Sequence, residues 1–188
     1  FKDFVKTLSE LEYAVEYQVV NCPDYGVPQH RKRLVLLASR FGEIHLIPPL
    51  YDAEHYITVR DAIGHLQPIE AGEICPDDIL HRSSALSAIN MERIQQSVPG
   101  GTWRDWDENL RLKCHRKESG ATFPSVYGRM EWDEPSPTMT TQFYGYGNGR
   151  FGHPEQNRAI SLREGAILQS FPDDYIFIDD QHPAKKRE

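Results

Sequence analysis

Hydrophobic and polar positions repeat with two different periods over residues 1–40. A helix is predicted over residues 1–12, because one helical face carries the apolar side chains Phe4, Val5, Leu8 and Leu11. Residues 13–20 (YAVEYQVV) alternate and are rich in β-branched and aromatic side chains, which predicts a strand. The continuous apolar run of residues 33–39 (RLVLLAS) predicts a second strand, buried on both faces. A turn-rich connector joins the two, so they form either an antiparallel hairpin with a long loop or two neighbouring strands.

The middle of the chain carries weaker patterns. Residues 44–49 (IHLIPP) are compatible with a short strand, and Thr58 is a suitable N-cap for a helix over residues 58–66. Apolar spacing predicts another helix over residues 81–96. Trp103 and Trp106 suit stacking on a nucleic acid or packing in a small core, and core packing is favoured because Trp is usually largely buried. The basic run KCHRK at residues 113–117 suits either a phosphate contact or a solvated turn, and the sequence does not separate these.

Residues 135–175 form the most distinctive stretch. Between Pro135 and Pro154 the only formally charged side chain is Arg150, and the rest is rich in Thr, aromatic residues and Gly. Glycine permits close approach of backbone to a ligand, so this composition suits a loop laid against a polar, grooved partner. An ordinary glycine-rich surface loop is the alternative. The sequence Ser161-Leu162-Arg163-Glu164 then predicts a capping box and a short helix that Pro172 ends.

Length and composition describe one domain, or slightly more, of a soluble protein. No apolar run approaches the roughly 20 residues of a membrane span, so no membrane partner is expected. The chain opens without a signal peptide and without Met, which predicts that it begins inside a longer protein. Its three cysteines are scattered and show no metal-ligand spacing, so we expect reduced thiols, a cytoplasmic location and no metal site.

The net charge of −7 argues against a generic nucleic-acid binder, which usually carries a basic excess. The charges are unevenly distributed, however. Residues 29–40 contain four basic side chains and no acid, whereas acids collect at residues 70–78 and 173–180. A polarised surface with one basic strip remains compatible with DNA.

Gln29, Arg31 and Arg33 share one face if the backbone there is extended, since side chains alternate along a strand. That face presents one amide and two guanidinium groups, which suit phosphate oxygens and the edges of bases. A solvated basic edge that protects a strand from further pairing explains the same pattern. The local pattern leaves both interpretations open.

Two separated segments share one resemblance. Residues 24–39 (DYGVPQHRKRLVLLAS) resemble the eighth ordered motif of the bacterial-type DNA (cytosine-5) methyltransferases, with its Gln-x-Arg-x-Arg signature. Residues 158–177 resemble the ninth motif, and the matches are Arg158, Ile160, Ser161, Arg163, Glu164, Ala166, Gln169, Phe171, Pro172, Asp173 and Tyr175. Between them, residues 127–141 (YGRMEWDEPSPTMTT) resemble the family's target recognition domain.

Other family motifs are missing from the 188 residues. In the family the cofactor loop (Phe-x-Gly-x-Gly), the nucleophile segment (Pro-Cys-Gln) and the Glu-Asn-Val segment precede the eighth motif, and none of them occurs before residue 24. The final motif with its Gly-Asn pair should follow the ninth, and it does not occur after Tyr175. Cys22 lies in Asn-Cys-Pro and lacks the nucleophile pattern. The resemblance therefore implies the C-terminal half of such an enzyme, with the missing N-terminal half supplied in cis or on a partner chain.

The implied fold is α/β. Residues 1–40 would be the edge of a mixed sheet from the catalytic domain, residues 41–180 an irregular α+β target recognition domain that includes the ninth motif, and residues 181–188 a tail. The family binds double-stranded DNA, flips a cytosine out of the duplex, and adds a cysteine thiolate to carbon 6 while a glutamate assists at nitrogen 3. S-adenosylmethionine supplies the methyl group, and its binding motifs would lie outside this chain.

The resemblance also implies roles for particular residues. Arg33 would contact the exocyclic oxygen of the flipped cytosine, Arg31 would support the nucleophile or the adjacent phosphate, and Gln29 would shape the pocket. Arg163, Glu164 and Gln169 would organise the scaffold. Thr138-Met139 is the candidate for the family's Thr-(Leu/Val/Ile) dipeptide, although Thr140 also fits the threonine. The major groove would be contacted by Thr138, Met139, Thr140, Gln142, Tyr144, Tyr146, Asn148 and Arg150.

Two other classes of function remain open at this point. One is a non-catalytic DNA-binding module with the same fold. The other is a protein-interaction domain, which the acidic net charge favours.

Overall fold

The chain begins with a helix that lies beside a two-stranded hairpin. In the computed structural model, which describes residues 1–177 apart from the side chains of Glu118 and Ala121, helix α1 spans Lys2–Glu10. Strands β1 (Ala14–Asn21) and β2 (Lys32–Ser39) pair antiparallel along their full length. The three predicted elements are confirmed, and of the two arrangements left open the antiparallel hairpin is the one observed.

The hairpin is less covered than the sequence predicts. Strand β2 was predicted to be buried on both faces, yet Leu34 is 50% exposed and Val19, its partner on β1, is 66% exposed. The expectation is wrong for the described residues, because this sheet has only two strands and its main covering element is α1. Phe1 packs edge-on against Tyr17 at the end of that helix, with ring centroids 4.9 Å apart.

The connector between the strands is held in a fixed path. A 3₁₀ turn over Cys22–Tyr25 ends at Gly26, whose φ of +80° lies in the left-handed region that glycine adopts without strain. The carboxylate of Asp24 accepts hydrogen bonds from Asn21 Nδ2 at 2.8 Å and from the Tyr56 hydroxyl at 2.5 Å. The connector therefore enters the following segment, residues 27–31, in a defined direction.

The rest of the described chain forms short elements around a compact core. Helix α2 spans Val59–Ile63 and starts with the expected Thr58 cap, which forms a capping box with Asp61. Strands β3 (Ile74–Cys75) and β4 (Asp78–Arg82) form a second antiparallel pair. Helix α3 spans Ala88–Gln96, and helix α4 spans Leu162–Ile167.

Two sequence predictions in this region are wrong. The helix expected from residue 81 begins only at Ala88, because His81 belongs to β4 and is fixed by tertiary hydrogen bonds. Its imidazole nitrogens lie 2.8 Å from Ser161 Oγ and 2.7 Å from the Gln67 carbonyl oxygen. The short strand considered at residues 44–49 is also not observed, and that segment has no regular secondary structure.

The main hydrophobic core gathers α2, α4 and the segments between residues 130 and 160. Its buried members include Val59, Ile63, Met130, Met139, Phe151, Ile160 and Leu168. A separate cluster contains Trp103, Trp106 and Leu110, which confirms the predicted core packing of the two tryptophans. None of the helices described within residues 1–177 is both long enough and apolar enough to cross a membrane.

Candidate nucleic-acid interface

The connector segment is joined directly to the start of the glycine-rich loop. Gln29 and Ser136 form a parallel β-bridge, in which His30 N donates to Ser136 O at 2.8 Å and Ser136 N donates to Pro28 O at 2.9 Å. The Thr138 hydroxyl donates to the His30 carbonyl at 2.5 Å. Two segments that are about a hundred residues apart in sequence thus meet at the predicted site.

The buried amide of Gln29 connects three parts of the chain. Its side chain is only 2% exposed, and Nε2 donates to the Leu168 carbonyl just after α4 at 3.3 Å. Its Oε1 accepts from the Met139 backbone N–H at 3.2 Å and from Arg31 Nη1 at 3.3 Å. The amide orientation follows from these partners, because two donors face one oxygen and a carbonyl faces the nitrogen.

The two arginines of the connector have different surroundings. Arg31 is half-buried and its Nη1 also approaches the Met139 carbonyl at 3.5 Å, so its guanidinium lies at the base of the loop. Arg33 is exposed, and its Nη1 donates to the carbonyl of Lys32 at 2.7 Å. The structure therefore brings Gln29 and Arg31 together with the loop, whereas no hydrogen bond among the described residues links Arg33 to it.

The loop of residues 138–150 contains both exposed and buried side chains. Met139 is 5% exposed and belongs to the main core, and Tyr146 is 2% exposed with its hydroxyl 2.8 Å from Ser97 Oγ. Burial raises the pKa of Tyr146 to about 12. Both side chains anchor the loop from inside, so the predicted contacts with a partner are confined to the exposed members: Thr138, Thr140, Gln142, Tyr144 and Asn148.

Contacts within and below the loop define its path. Asn148 Nδ2 donates to the Gln142 carbonyl at 3.1 Å, and Arg150 Nη1 donates to the Gly101 carbonyl at 2.8 Å. Arg150 is half-buried and closes the loop at its C-terminal end. The ring of Phe143 lies directly over Gly165 of α4, where an added Cβ would overlap the ring.

An open cleft of about 400 Å³ lies beside the loop base. Its lining combines His30, Thr138 and Arg150 with the carboxylates of Glu131 and Glu134. Sequence analysis did not single out these two acids. Their local pattern gave no signal, because the cleft forms from segments that are distant in sequence.

Helix α4 is held by buried ion pairs. Glu164 is only 1% exposed. Its carboxylate accepts hydrogen bonds from both terminal nitrogens of Arg158, at 2.7 Å each, and from the Ser161 backbone N–H at 2.6 Å. Burial raises the pKa of the Glu164 carboxyl, but the hydrogen bonds and charge of Arg158 outweigh burial and hold it below its ordinary value. The predicted capping box is confirmed by this geometry.

The other two predicted scaffold residues differ in burial. Arg163 is buried and pairs with Asp78 of β4 at 2.5 and 3.2 Å, and its Nη1 donates to the Tyr175 carbonyl at 2.9 Å. Gln169 is exposed, and within residues 1–177 its side chain donates one hydrogen bond, to the Gly165 carbonyl at 3.4 Å. The contacts of Glu164 and Arg163 are those of residues that hold elements together.

Arg129 is a buried structural residue that sequence analysis did not identify. Its guanidinium donates to the carbonyl oxygens of Ile94, Ser97 and His153 at 2.8 Å each. The backbone of Arg129 also bridges Pro99 and Gly152. Its role depends on carbonyl groups far away in sequence, so nothing in the local pattern could indicate it.

Among residues 1–177, no group of three or more His, Cys, Asp or Glu side chains is arranged to hold a metal ion. Beside the two carboxylates of the cleft, the polar groups around the loop are guanidinium, amide and hydroxyl donors. Such a set can donate hydrogen bonds to phosphate oxygens and base edges.

Comparison with known proteins identifies the family of this chain. Residues 1–187 match the C-5 cytosine-specific DNA methylases, and the chain belongs to that family. The type II methylase M.HgiDII of Herpetosiphon aurantiacus is 58% identical over 177 residues, which cover 94% of this chain and 50% of that protein. DNA (cytosine-5)-methyltransferase 3 of Arabidopsis thaliana is 31% identical over 235 residues, which cover 95% of this chain and 17% of that protein.

A solved structure supports the fold class. A protein encoded within an E. coli prophage and described as a DNA modification methyltransferase superposes with a TM-score of 0.60 at 20% identity. The match covers 92% of this chain and 54% of that chain. The predicted α/β class is therefore confirmed, while its finer division into a sheet edge and a target recognition domain stays a prediction. The chain spans about half the length of M.HgiDII and 17% of the length of the Arabidopsis enzyme.

Proposed function

We propose that this chain is the C-terminal, DNA-recognising half of a DNA (cytosine-5-)-methyltransferase. In this proposal it grips double-stranded DNA and positions the flipped cytosine, while the N-terminal half, in cis or on a partner chain, performs the methyl transfer. Residues 1–40 would be the edge of the catalytic domain and residues 41–180 the target recognition domain.

The observation that carries the proposal is the buried amide of Gln29. It hydrogen-bonds the Met139 backbone at the start of the loop and the Leu168 carbonyl after α4. The three segments that match family motifs are thereby fixed as one unit, with Arg31 at their junction. A rigid junction of this kind suits a site that must hold a flipped base in register with a groove-reading loop.

The exposed loop side chains supply the means of discrimination between sequences. Thr140, Gln142 and Asn148 carry hydroxyl and amide groups, which are donors and acceptors for base edges in the major groove. Exposed Arg33 has donors available for the exocyclic oxygen of the cytosine, and half-buried Arg31 is placed to support the neighbouring phosphate or nucleophile. Base flipping costs a few kcal/mol, which such contacts would offset.

S-adenosylmethionine would supply the methyl group in the parent enzyme. In this proposal the binding motifs for this cofactor lie in the N-terminal half, and the chain's own contribution is DNA contact and positioning.

Duplex binding tests the proposal. The chain should bind cytosine-containing duplex DNA weakly and with strong salt dependence, because few phosphate contacts oppose an adverse net charge. Replacing Arg31 and Arg33 together by Ala should abolish this binding in a fluorescence anisotropy titration. The matched control is Lys2→Ala with Lys6→Ala, which removes the same charge from α1.

Each outcome has a defined meaning. Loss of binding in the arginine variant together with retention in the lysine control supports the proposal. Equal affinity of the arginine variant and the parent chain, or no duplex binding even at low salt, contradicts it.

A further inference from the structure

A network of three polar side chains holds the connector that carries Gln29 and Arg31. Tyr56 is half-buried, and its hydroxyl donates to Asp24 Oδ1 at 2.5 Å. Asn21 Nδ2 donates to the same carboxylate oxygen at 2.8 Å and to the Tyr56 hydroxyl oxygen at 3.0 Å. Each of the three side chains contacts the other two, so the position of each depends on both partners. Tyr56 lies outside the segments that match family motifs.

The protonation states of the pair suit this arrangement. The hydrogen bond from Tyr56 lowers the pKa of the Asp24 carboxyl, and the same bond raises the pKa of the Tyr56 hydroxyl. At neutral pH the carboxylate therefore accepts and the hydroxyl donates. A hydrogen bond to an ionised acceptor is stronger than one between neutral groups, so this contact can hold the connector firmly.

The network reaches Arg31 through one backbone hydrogen bond. Cys22 follows Asn21 directly, and its N–H donates to the Arg31 carbonyl at 2.7 Å, which closes the connector at its base. Asn21 also pairs with Lys32, the residue after Arg31, in the last register position of the hairpin. A displacement of Asn21 and Asp24 would therefore move the backbone from which the Arg31 guanidinium extends.

The segment that contains the tyrosine also holds the stretch that leads into the glycine-rich loop. Tyr51 N donates to the Asp24 carbonyl at 3.1 Å, and Val59 N donates to the Glu134 carbonyl at 2.9 Å. Residues 50–60 therefore contact the connector at one end and the start of the loop at the other. The connector and the loop are thus supported from the same side by one segment.

We propose that Tyr56 is a positioning residue for DNA binding, which acts through Asp24 to hold the Arg31 guanidinium where the DNA would lie. This inference rests on the proposed function. Tyr56 itself makes no contact with DNA in this proposal. Its hydroxyl instead orders the connector before the duplex arrives, so that less order has to be gained on binding.

A double-mutant cycle tests whether Tyr56 acts through Arg31. Tyr56→Phe removes the hydroxyl alone and should weaken duplex binding about 5-fold in a fluorescence anisotropy titration, the order of one lost hydrogen bond. In an Arg31→Ala background, which keeps Arg33, the same change should lower affinity by less than about 2-fold. A role confined to stability would give the same loss in both backgrounds, because it lowers only the folded fraction.

Two matched controls accompany the cycle. Tyr13→Phe removes the hydroxyl of another half-buried tyrosine, which makes no hydrogen bond within residues 1–177, and should leave affinity unchanged. Asp24→Asn keeps a side-chain oxygen that can accept both bonds, whereas Asp24→Ala does not, and both remove the same charge. The Asn variant should therefore bind duplex about 5-fold more tightly than the Ala variant. Circular dichroism and thermal unfolding verify that each variant is folded.

The outcomes separate this inference from the proposed function. Equal affinity of Tyr56→Phe and the parent, an undiminished loss in the Arg31→Ala background, or equal affinity of the two Asp24 variants overturns the positioning role. If that happens while the Arg31/Arg33 variant loses binding, only the positioning role fails and the proposed function stands. Absence of duplex binding by the parent contradicts both.

Discussion

At the scale of single residues, the site depends on a side-chain amide used as an internal connector. Gln29 has a donor and an acceptor on one rigid group, so it can satisfy the Met139 N–H and the Leu168 carbonyl at once. An arginine or a glutamate at this position would offer only donors or only acceptors. The family signature Gln-x-Arg-x-Arg therefore contains one structural residue as well as two cationic ones.

Replacing Gln29 by Ala should destabilise the protein by about 1–3 kcal/mol, because the buried Met139 N–H loses its partner. Urea unfolding followed by circular dichroism measures the change. Gln169→Ala is the matched control, since Gln169 is exposed and makes one long hydrogen bond, and it should change stability by less than about 0.5 kcal/mol. Equal effects of the two substitutions would show that the Gln29 amide does not connect the segments.

The buried imidazole of His153 predicts a dependence of stability on pH. Burial lowers its pKa from 6.5 to about 4, outweighing the Glu164 carboxylate 3.7 Å away, so that contact is not an ion pair at neutral pH. His153 Nδ1 accepts the backbone N–H groups of Glu155 and Gln156 at 3.1 and 2.9 Å, and protonation would break both bonds. The unfolded chain binds a proton more readily, so the stability from neutral His153 is present above pH 6.5 and lost as pH falls towards 4.

The free energy of unfolding should therefore fall by roughly 3 kcal/mol between pH 7 and pH 4 on account of His153. The comparison is with His153→Asn, whose side-chain oxygen can still accept the two N–H groups but does not titrate. Protonation of Glu164 also lowers the free energy of unfolding in acid, because its pKa is lowered in the folded state. This contribution is present in the parent and in the His153→Asn variant alike. Parallel pH profiles for the two proteins would contradict the assignment to His153.

At the scale of elements, helix α4 supports the loop, because a loop side chain packs against it. Phe143 lies over Gly165, where an added Cβ would overlap the ring. Gly165→Ala should therefore destabilise the protein by about 1–3 kcal/mol through overpacking, even though alanine favours helix by up to about 1 kcal/mol. Thermal unfolding measures this, and Phe143→Leu combined with Gly165→Ala should recover stability relative to Gly165→Ala alone. A stabilised Gly165→Ala single variant would show that the ring does not rest on the glycine.

Local signals predicted some elements well and others poorly. The Thr58 N-cap, the Ser161 capping box and the alternation of β1 depend on neighbouring residues, and the sequence predicted all three. Helix α3 starts later than expected because His81 is fixed by Ser161 and Gln67. The loop path was beyond sequence reasoning, because its anchors depend on contacts between distant segments.

The same limit applies to the candidate site. The motifs indicated that Gln29 and Arg31 lie near the loop, and the structure joins them to Met139. No pattern showed that Met139 and Tyr146 face inward, since burial of a loop side chain depends on what the fold places beneath it. The DNA contacts assigned to the exposed loop residues and to Arg33 stay predictions.

At the scale of the whole molecule, the chain should have no methyltransferase activity alone. The 188 residues contain no Pro-Cys-Gln segment, and no Phe-x-Gly-x-Gly loop precedes the eighth motif. A transfer assay with tritiated S-adenosylmethionine and cytosine-containing duplex DNA should give incorporation no higher than the protein-free background. Adding the part of M.HgiDII that lies outside the 177 matched residues, which are 58% identical to this chain, should restore transfer. Incorporation by the chain alone would contradict this prediction.

The division of the loop into buried anchors and exposed side chains has an evolutionary consequence. Met139 and Tyr146 hold the backbone from below, and Arg150 closes it onto Gly101. Substitutions at Thr140, Gln142 and Tyr144 therefore leave these anchors in place. Under the proposed function, we expect new target preferences to arise by point mutations at these three positions without an intermediate that loses the fold.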